Sequence, residues 1–273
     1  ADQRTEGQVN YLKELKTHMR TYDKICPERA RYFTDAYKAA EGQPEAIRFA
    51  KGIAAIFDNI SIYIEDGELI VGNYASKPTA MPIYPEYFTG WISDAIGEEG
   101  MFHDRVTDEE RRELLDINDY WVDRCYDGRM FAAMPENLKD YQFFNGVGLT
   151  TEVHSMHSAV CSGFDNMLAH GANGIVKRCK DRLAEIKEKG IGGDTSATDY
   201  IDQVTNLEAM IIANEAFGRF GKRYAKLARG MAAAETDPDK KKDLEKVAEV
   251  CERVPAEPPR TFHEALQAFY LYH

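Results

Sequence analysis

The residues of this chain best suited to chemistry crowd into one stretch: Tyr141-Gln142-Phe143-Phe144-Asn145-Gly146-Val147-Gly148, then Thr150, Thr151, Glu152, His154 and His157. Glycines at 146 and 148 interrupt regular structure, and loops that set small residues beside aromatics commonly line pockets. Phe143, Phe144, Asn145, His154 and His157 are therefore the candidate substrate-binding residues. Imidazole titrates near neutral pH, so His154 or His157 suits proton transfer or substrate orientation. A wall of hydrogen-bonded polar groups that touches no substrate is the competing interpretation. With Glu152 the two histidines superficially suggest a metal site. Zinc or iron demands three or four converging ligands, and no metal site is assigned.

Other candidates are thinner. Glu86 and Asp94 are spaced to share a helix face, but a carboxylate pair becomes an acid/base pair only when buried. Cys161, in AVCSGF, has the loop setting of a reactive thiol, although a lone cysteine is more often a small buried hydrophobe. Tyr84, Tyr87, Phe88 and Trp91 fit a core better than a substrate wall. The glycines of Gly190-Ile191-Gly192-Gly193 match no phosphate-binding pattern.

Elements that would position these residues are legible from their ends. Thr107 with Glu110 and Thr261 with Glu264 fit capping boxes, and Asp237-Pro238 marks a third helix start. Apolar periodicity predicts further helices over Val9–Tyr22, Pro27–Ala40, Glu45–Asn59, Glu86–Ile96, Asp165–Lys189 and Asp199–Glu235. The last directs Ile201, Val204, Leu207, Ile211, Ala216, Phe220 and Leu227 toward a core. Leu244, Val247, Ala248 and Cys251 share one face of the helix after Pro238. Between the third and fourth helices of that series lies Ile62 to Asn73, IYIEDGELIVGN, where apolar residues alternate about Asp66-Gly67. That pattern predicts a β-hairpin. The fold class expected is mostly α with a short β-hairpin.

Composition mainly excludes. The chain has 273 residues, 44% of them hydrophobic, and a formal charge of −12. Such a charge repels nucleic acid and anionic lipid, so neither is an expected partner. The five scattered cysteines form no CxxC pair and fit reduced thiols in a cytoplasmic protein. No apolar stretch approaches the roughly 20 residues that span a bilayer, and no signal-peptide core is present.

Several segments in order resemble the N-terminal region of the glycyl radical enzymes, the pyruvate formate-lyase superfamily. They are CPERARYFTDAYK (from Cys26), PEAIRFAKGIAAIFDN, the IYIEDGELIVGN ribbon, YPEYFTGWI (from Tyr84), and the run from Asp237 through VPAEPPRTFHEALQAFYLYH. The likeness runs from about Cys26 to the end and is nearest the lyase and dehydratase branch. It implies that residues 1–273 are the N-terminal part of a ten-stranded α/β barrel, with 1–25 as an extension helix. It also implies a homodimer, a small-molecule substrate and cleavage of a C–O, C–N, C–S or C–C bond. No cofactor would be bound directly; a partner activating enzyme using S-adenosylmethionine and an iron–sulfur cluster would install the glycyl radical.

The family's GCxE-like cysteine and RVxGY-like glycine do not occur here, so no catalytic residue is assigned and both are expected beyond His273. Taken alone, the chain is expected to be inactive. It ends in an apolar run without a helix stop, as an N-terminal piece would. Relatives carry a GHT- or GHV-like motif whose histidine faces substrate. Here Leu149 falls at that point of GVGLTTEVH, unless an insertion shifts the equivalence to His157. Two alternatives stay open: an arylacetate-type decarboxylase or fumarate-adding synthase of the same superfamily, and a non-catalytic helical module.

Overall fold

The computed structural model describes residues 24–139, 163–192 and 195–272. A first strand, β1 (Lys24–Cys26), leads into α1 (Glu28–Ala39) and α2 (Glu45–Asn59). A long irregular passage then reaches β2 (Ala80–Pro82). After it come the short α3 (Ile92–Ile96), α4 (Asp108–Trp121), α5 (Tyr126–Ala133) and α6 (Glu136–Lys139). The second half is built from α7 (Phe164–Lys189), α8 (Ala197–Ala234), α9 (Pro238–Arg253) and α10 (Phe262–Tyr272). Helix α8 is the spine, packing against α2, α7 and α9.

Helix starts follow the predicted chemistry. The Thr107 hydroxyl accepts from Glu110 N at 3.2 Å and the Glu110 carboxylate accepts from Thr107 N at 2.9 Å, a complete capping box. Asp237 caps α9 by accepting from Asp239 N and Lys240 N. At α10 the box is rearranged. Thr261 still accepts from Glu264 N at 3.2 Å, but the Glu264 carboxylate accepts from Arg260 N at 2.6 Å and from the Arg260 guanidinium at 2.7 Å. The bidentate arginine outcompetes the Thr261 amide.

The predicted β-hairpin is not formed. Its turn exists, with Gly67 at φ 79° and Glu68 N donating to Glu65 O, but the flanking segments are irregular and do not pair. The two-stranded sheet is elsewhere: β1 and β2 are parallel, with Lys24 opposite Ala80 and Cys26 opposite Pro82. Residues 62–73 instead lie against α10, which supplies the hydrogen bonds a second strand would have made.

Two helices also depart from expectation. The helix predicted from Glu86 begins only at Ile92, because the Glu86 carbonyl is taken by Tyr126 N at 3.0 Å and its side chain turns inward. Helix α7 breaks at Gly171 (φ 62°, ψ 171°). Pro255 O and Ala256 O accept there from Ala172 N and Asn173 N, each at 2.9 Å, and a Cβ on Gly171 would sit 2.6 Å from Glu257 C. Only glycine permits that approach. Along α8, Ala216 and Phe220 are buried as expected, Val204, Leu207, Ile211 and Leu227 are half-buried, and Ile201 is exposed. The predicted helix over Val9–Tyr22 lies outside the described residues.

The main core joins both halves. Phe33, Tyr37 and Trp121 cluster where α1 meets α4, and the Trp121 indole donates to Thr34 Oγ1 at 2.8 Å. Phe57 contacts Phe217 and Phe220 across α2 and α8, while Val247, Val250 and Cys251 seal α9 beneath.

Candidate functional site

Antiparallel α7 and α8 diverge enough to leave a cleft of about 730 Å³, closed at one end by Phe57 and the end of α10. Ile175, Leu207, Met210, Phe217 and Leu271 make an apolar floor; Arg178, Arg182, Asn166 and Asn214 line its polar edge. Arg178 donates to Asn166 Oδ1 at 3.3 Å, and Arg182 to Glu185 at 2.9 Å. The Cys179 thiol faces this cleft, with burial pushing it above its ordinary value, so it is a poor nucleophile at neutral pH. A polar-edged apolar cleft of this size suits a ligand or a packed protein segment.

Gly163, on the lip of the α7–α8 cleft, is the first described residue after the predicted glycine-aromatic stretch. Phe143, Phe144, Asn145, His154 and His157 lie outside the described residues, as do Leu149 and Cys161.

A second, smaller cavity of about 250 Å³ lies between α1, α2, α8 and α10. On its wall stands a buried ion pair: Arg29 donates to Glu86 Oε1 at 2.6 Å and Oε2 at 3.1 Å, and to Ile83 O at 3.3 Å. The guanidinium also stacks 3.7 Å from the centre of the Tyr84 ring. Charge, hydrogen bonding and stacking together explain how both ions tolerate burial. Asp94 is exposed and plays no part, so the Glu86–Asp94 acid/base pair is not assembled. Trp91 packs edge-on against Phe102, and Tyr87 against Phe49. Tyr84 of the aromatic set lines this smaller cavity. The Arg29–Glu86 pair escaped sequence reasoning because nothing in CPERAR marks one arginine as internal.

Among the described residues, no group of three or more histidine, cysteine or acidic side chains is placed to hold a metal ion. Cys26, Cys125, Cys179 and Cys251 are buried and unpaired as disulfides.

Against known proteins, a model of pyruvate formate lyase-like sequences matches residues 3–273. The chain belongs to the pyruvate formate lyase-like family. Isethionate sulfite-lyase of Nitratidesulfovibrio vulgaris is 32% identical over 267 residues, which cover 93% of this chain and 31% of that protein. The glycerol-bound B12-independent glycerol dehydratase from Clostridium butyricum superposes with a TM-score of 0.84 at 28% identity, over 99% of this chain and 34% of its own. A glycyl radical enzyme from Archaeoglobus fulgidus superposes at 0.79 with 30% identity, over 94% of this chain and 33% of its own. The chain thus spans about a third of the relatives it matches. In this pyruvate formate lyase-like chain, the clefts are built mainly by helices, and the only sheet among the described residues is the β1–β2 pair.

Proposed function

We propose that this chain supplies the N-terminal part of a glycyl radical enzyme of the lyase and dehydratase branch. The superposition on glycerol dehydratase over 99% of this chain, but only 34% of the dehydratase, carries that reading. In it, residues 1–273 form helical shell and one pocket wall, with 1–25 as an extension helix. In the same reading, the segment carrying Phe143, Phe144, Asn145, His154 and His157 contributes substrate contacts.

The complete protein would take a small substrate. Isethionate and glycerol, named in the relatives, are both short, hydroxylated and polar. A cysteine thiyl would remove a hydrogen atom from such a substrate, and a C–O, C–N, C–S or C–C bond would then break. Neither the cysteine nor the radical glycine motif is in this chain, so no step is assigned to its own residues. No cofactor is bound directly; an activating enzyme with S-adenosylmethionine and an iron–sulfur cluster would install the radical, and the working form would be a cytoplasmic homodimer. Among the described residues no helix is long and apolar enough to cross a membrane.

The test is anaerobic complementation. The chain is mixed with a radical-activating enzyme and S-adenosylmethionine, with or without a polypeptide carrying the missing cysteine and glycine motifs. Electron paramagnetic resonance and turnover of isethionate and glycerol are read. Radical and turnover only with the second polypeptide support the proposal. A radical on the 273-residue chain alone overturns it.

A further inference from the structure

The wall of the α7–α8 cleft reverses the charge of the molecule around it. The chain carries a formal charge of −12, yet the described side chains lining this cleft include Arg178 and Arg182 and no aspartate or glutamate. On the same helix Lys177, Lys180, Arg182 and Lys187 each reach a carboxylate, at 2.5, 2.7, 2.9 and 3.2 Å. Arg178 differs from them. No described carboxylate stands within ion-pair distance of it, and its guanidinium donates to the neutral Oδ1 of Asn166 at 3.3 Å.

The break at Gly171 builds this polar corner. Asn166 and Arg178 are 12 residues apart, which along an unbroken helix is about 18 Å, too far for the two side chains to meet. The positive φ of Gly171 turns the first part of α7 back and brings them together. With Oδ1 taken, the Asn166 amide keeps its Nδ2–H donors, and the guanidinium keeps most of its own. Donors and positive charge therefore sit at the edge of an apolar floor that includes Ile175, Leu207, Met210 and Phe217. Met210 is exposed there, and its unbranched thioether adapts to the shape of what it covers.

We propose that the α7–α8 cleft binds an amphipathic monocarboxylate, with the anionic head on Arg178 and Asn166 and an aliphatic body on the apolar floor. A guanidinium beside an amide donor matches the acceptor oxygens of a carboxylate and repels an ammonium group. A wholly polar anion would leave the floor facing water, and a plain hydrocarbon would leave Arg178 without a counter-charge. Both parts of the ligand are needed to satisfy the site. The volume of about 730 Å³ lies within the range that encloses a small molecule. All of these groups belong to the 273-residue chain, so binding is measurable on it directly.

Isothermal titration calorimetry of that chain at pH 7 with octanoate and with octan-1-ol tests this. Octanoate should bind at a single site, about tenfold more tightly than the uncharged alcohol, because of its charge-assisted contact. Arg178→Gln should bring octanoate down to the affinity of octan-1-ol, and Ala213→Phe, which fills the cleft from α8, should abolish binding of both. Absence of saturable octanoate binding to the parent leaves the cleft to a packed protein segment and overturns the proposal. Unchanged octanoate binding in Arg178→Gln, or in a folded Ala213→Phe, overturns it as well. Should Ala213→Phe fail to fold, carbon-13 methyl spectra of the parent locate the ligand: a shift of the Met210 methyl on adding octanoate supports the cleft, and no shift overturns it.

Discussion

Gln267 on α10 treats Val71 as a strand would. Its Oε1 accepts from Val71 N at 2.8 Å and its Nε2 donates to Val71 O at 2.7 Å, across 196 residues of sequence. Both residues are fully buried, so one side-chain amide satisfies a backbone donor and acceptor that water cannot reach. A second strand at Val71 is therefore unnecessary.

Replacing this amide with an apolar side chain of similar size orphans both groups. Gln267→Leu should lose about 2–5 kcal/mol of stability, since each unsatisfied buried group costs about 1–3 kcal/mol. Urea unfolding followed by circular dichroism measures it. A loss under 1 kcal/mol would show that Val71 finds other partners.

The Arg29–Glu86 pair predicts non-additivity. Arg29→Met leaves Glu86 buried without its cation and should cost about 3–5 kcal/mol, whereas Arg29→Met with Glu86→Leu should recover most of that loss. The same unfolding experiment on the three variants forms the cycle. Additive losses would contradict the buried-pair description.

Gly171 and Gly190 both adopt positive φ, 62° and 65°, but only Gly171 is also crowded. Gly190→Ala meets no atom within 4 Å and should cost only the strain of a side chain at φ 65°, ψ −163°, a region almost confined to glycine, about 1–3 kcal/mol. Gly171→Ala must also displace the backbone of Ala256 and Glu257 and should lower Tm much further. Differential scanning calorimetry of the two variants compares them directly.

Acid sensitivity should trace in part to Glu264. Its hydrogen bond from the Arg260 guanidinium holds the carboxyl below its ordinary 4.5, against the opposing effect of burial. A depressed carboxyl stabilises the fold above its unfolded value, and that contribution disappears as pH falls through the folded value. The Glu264→Gln variant should therefore show a shallower stability decline below about pH 4.5 than the parent. Equal slopes in urea titrations at pH 3 to 6 would rule Glu264 out.

What the sequence settled by itself was local. Thr107 with Glu110 and Asp237 with Pro238 set helix starts because capping uses groups within three or four residues. Glu45–Asn59 came out to the residue, from the periodicity of its apolar face. Order of segments, from CPERARYF to PPRTFHEAL, also sufficed to mark the family. The tertiary structure decided what distant groups do to one another. Alternation about Asp66-Gly67 describes an extended strand but cannot reveal that Gln267, 196 residues on, takes the strand's hydrogen bonds. The internal place of Arg29, the break at Gly171 and the exposure of Ile201 likewise follow from what packs there. Periodicity reports which face could be buried, and only the assembled neighbours determine which face is.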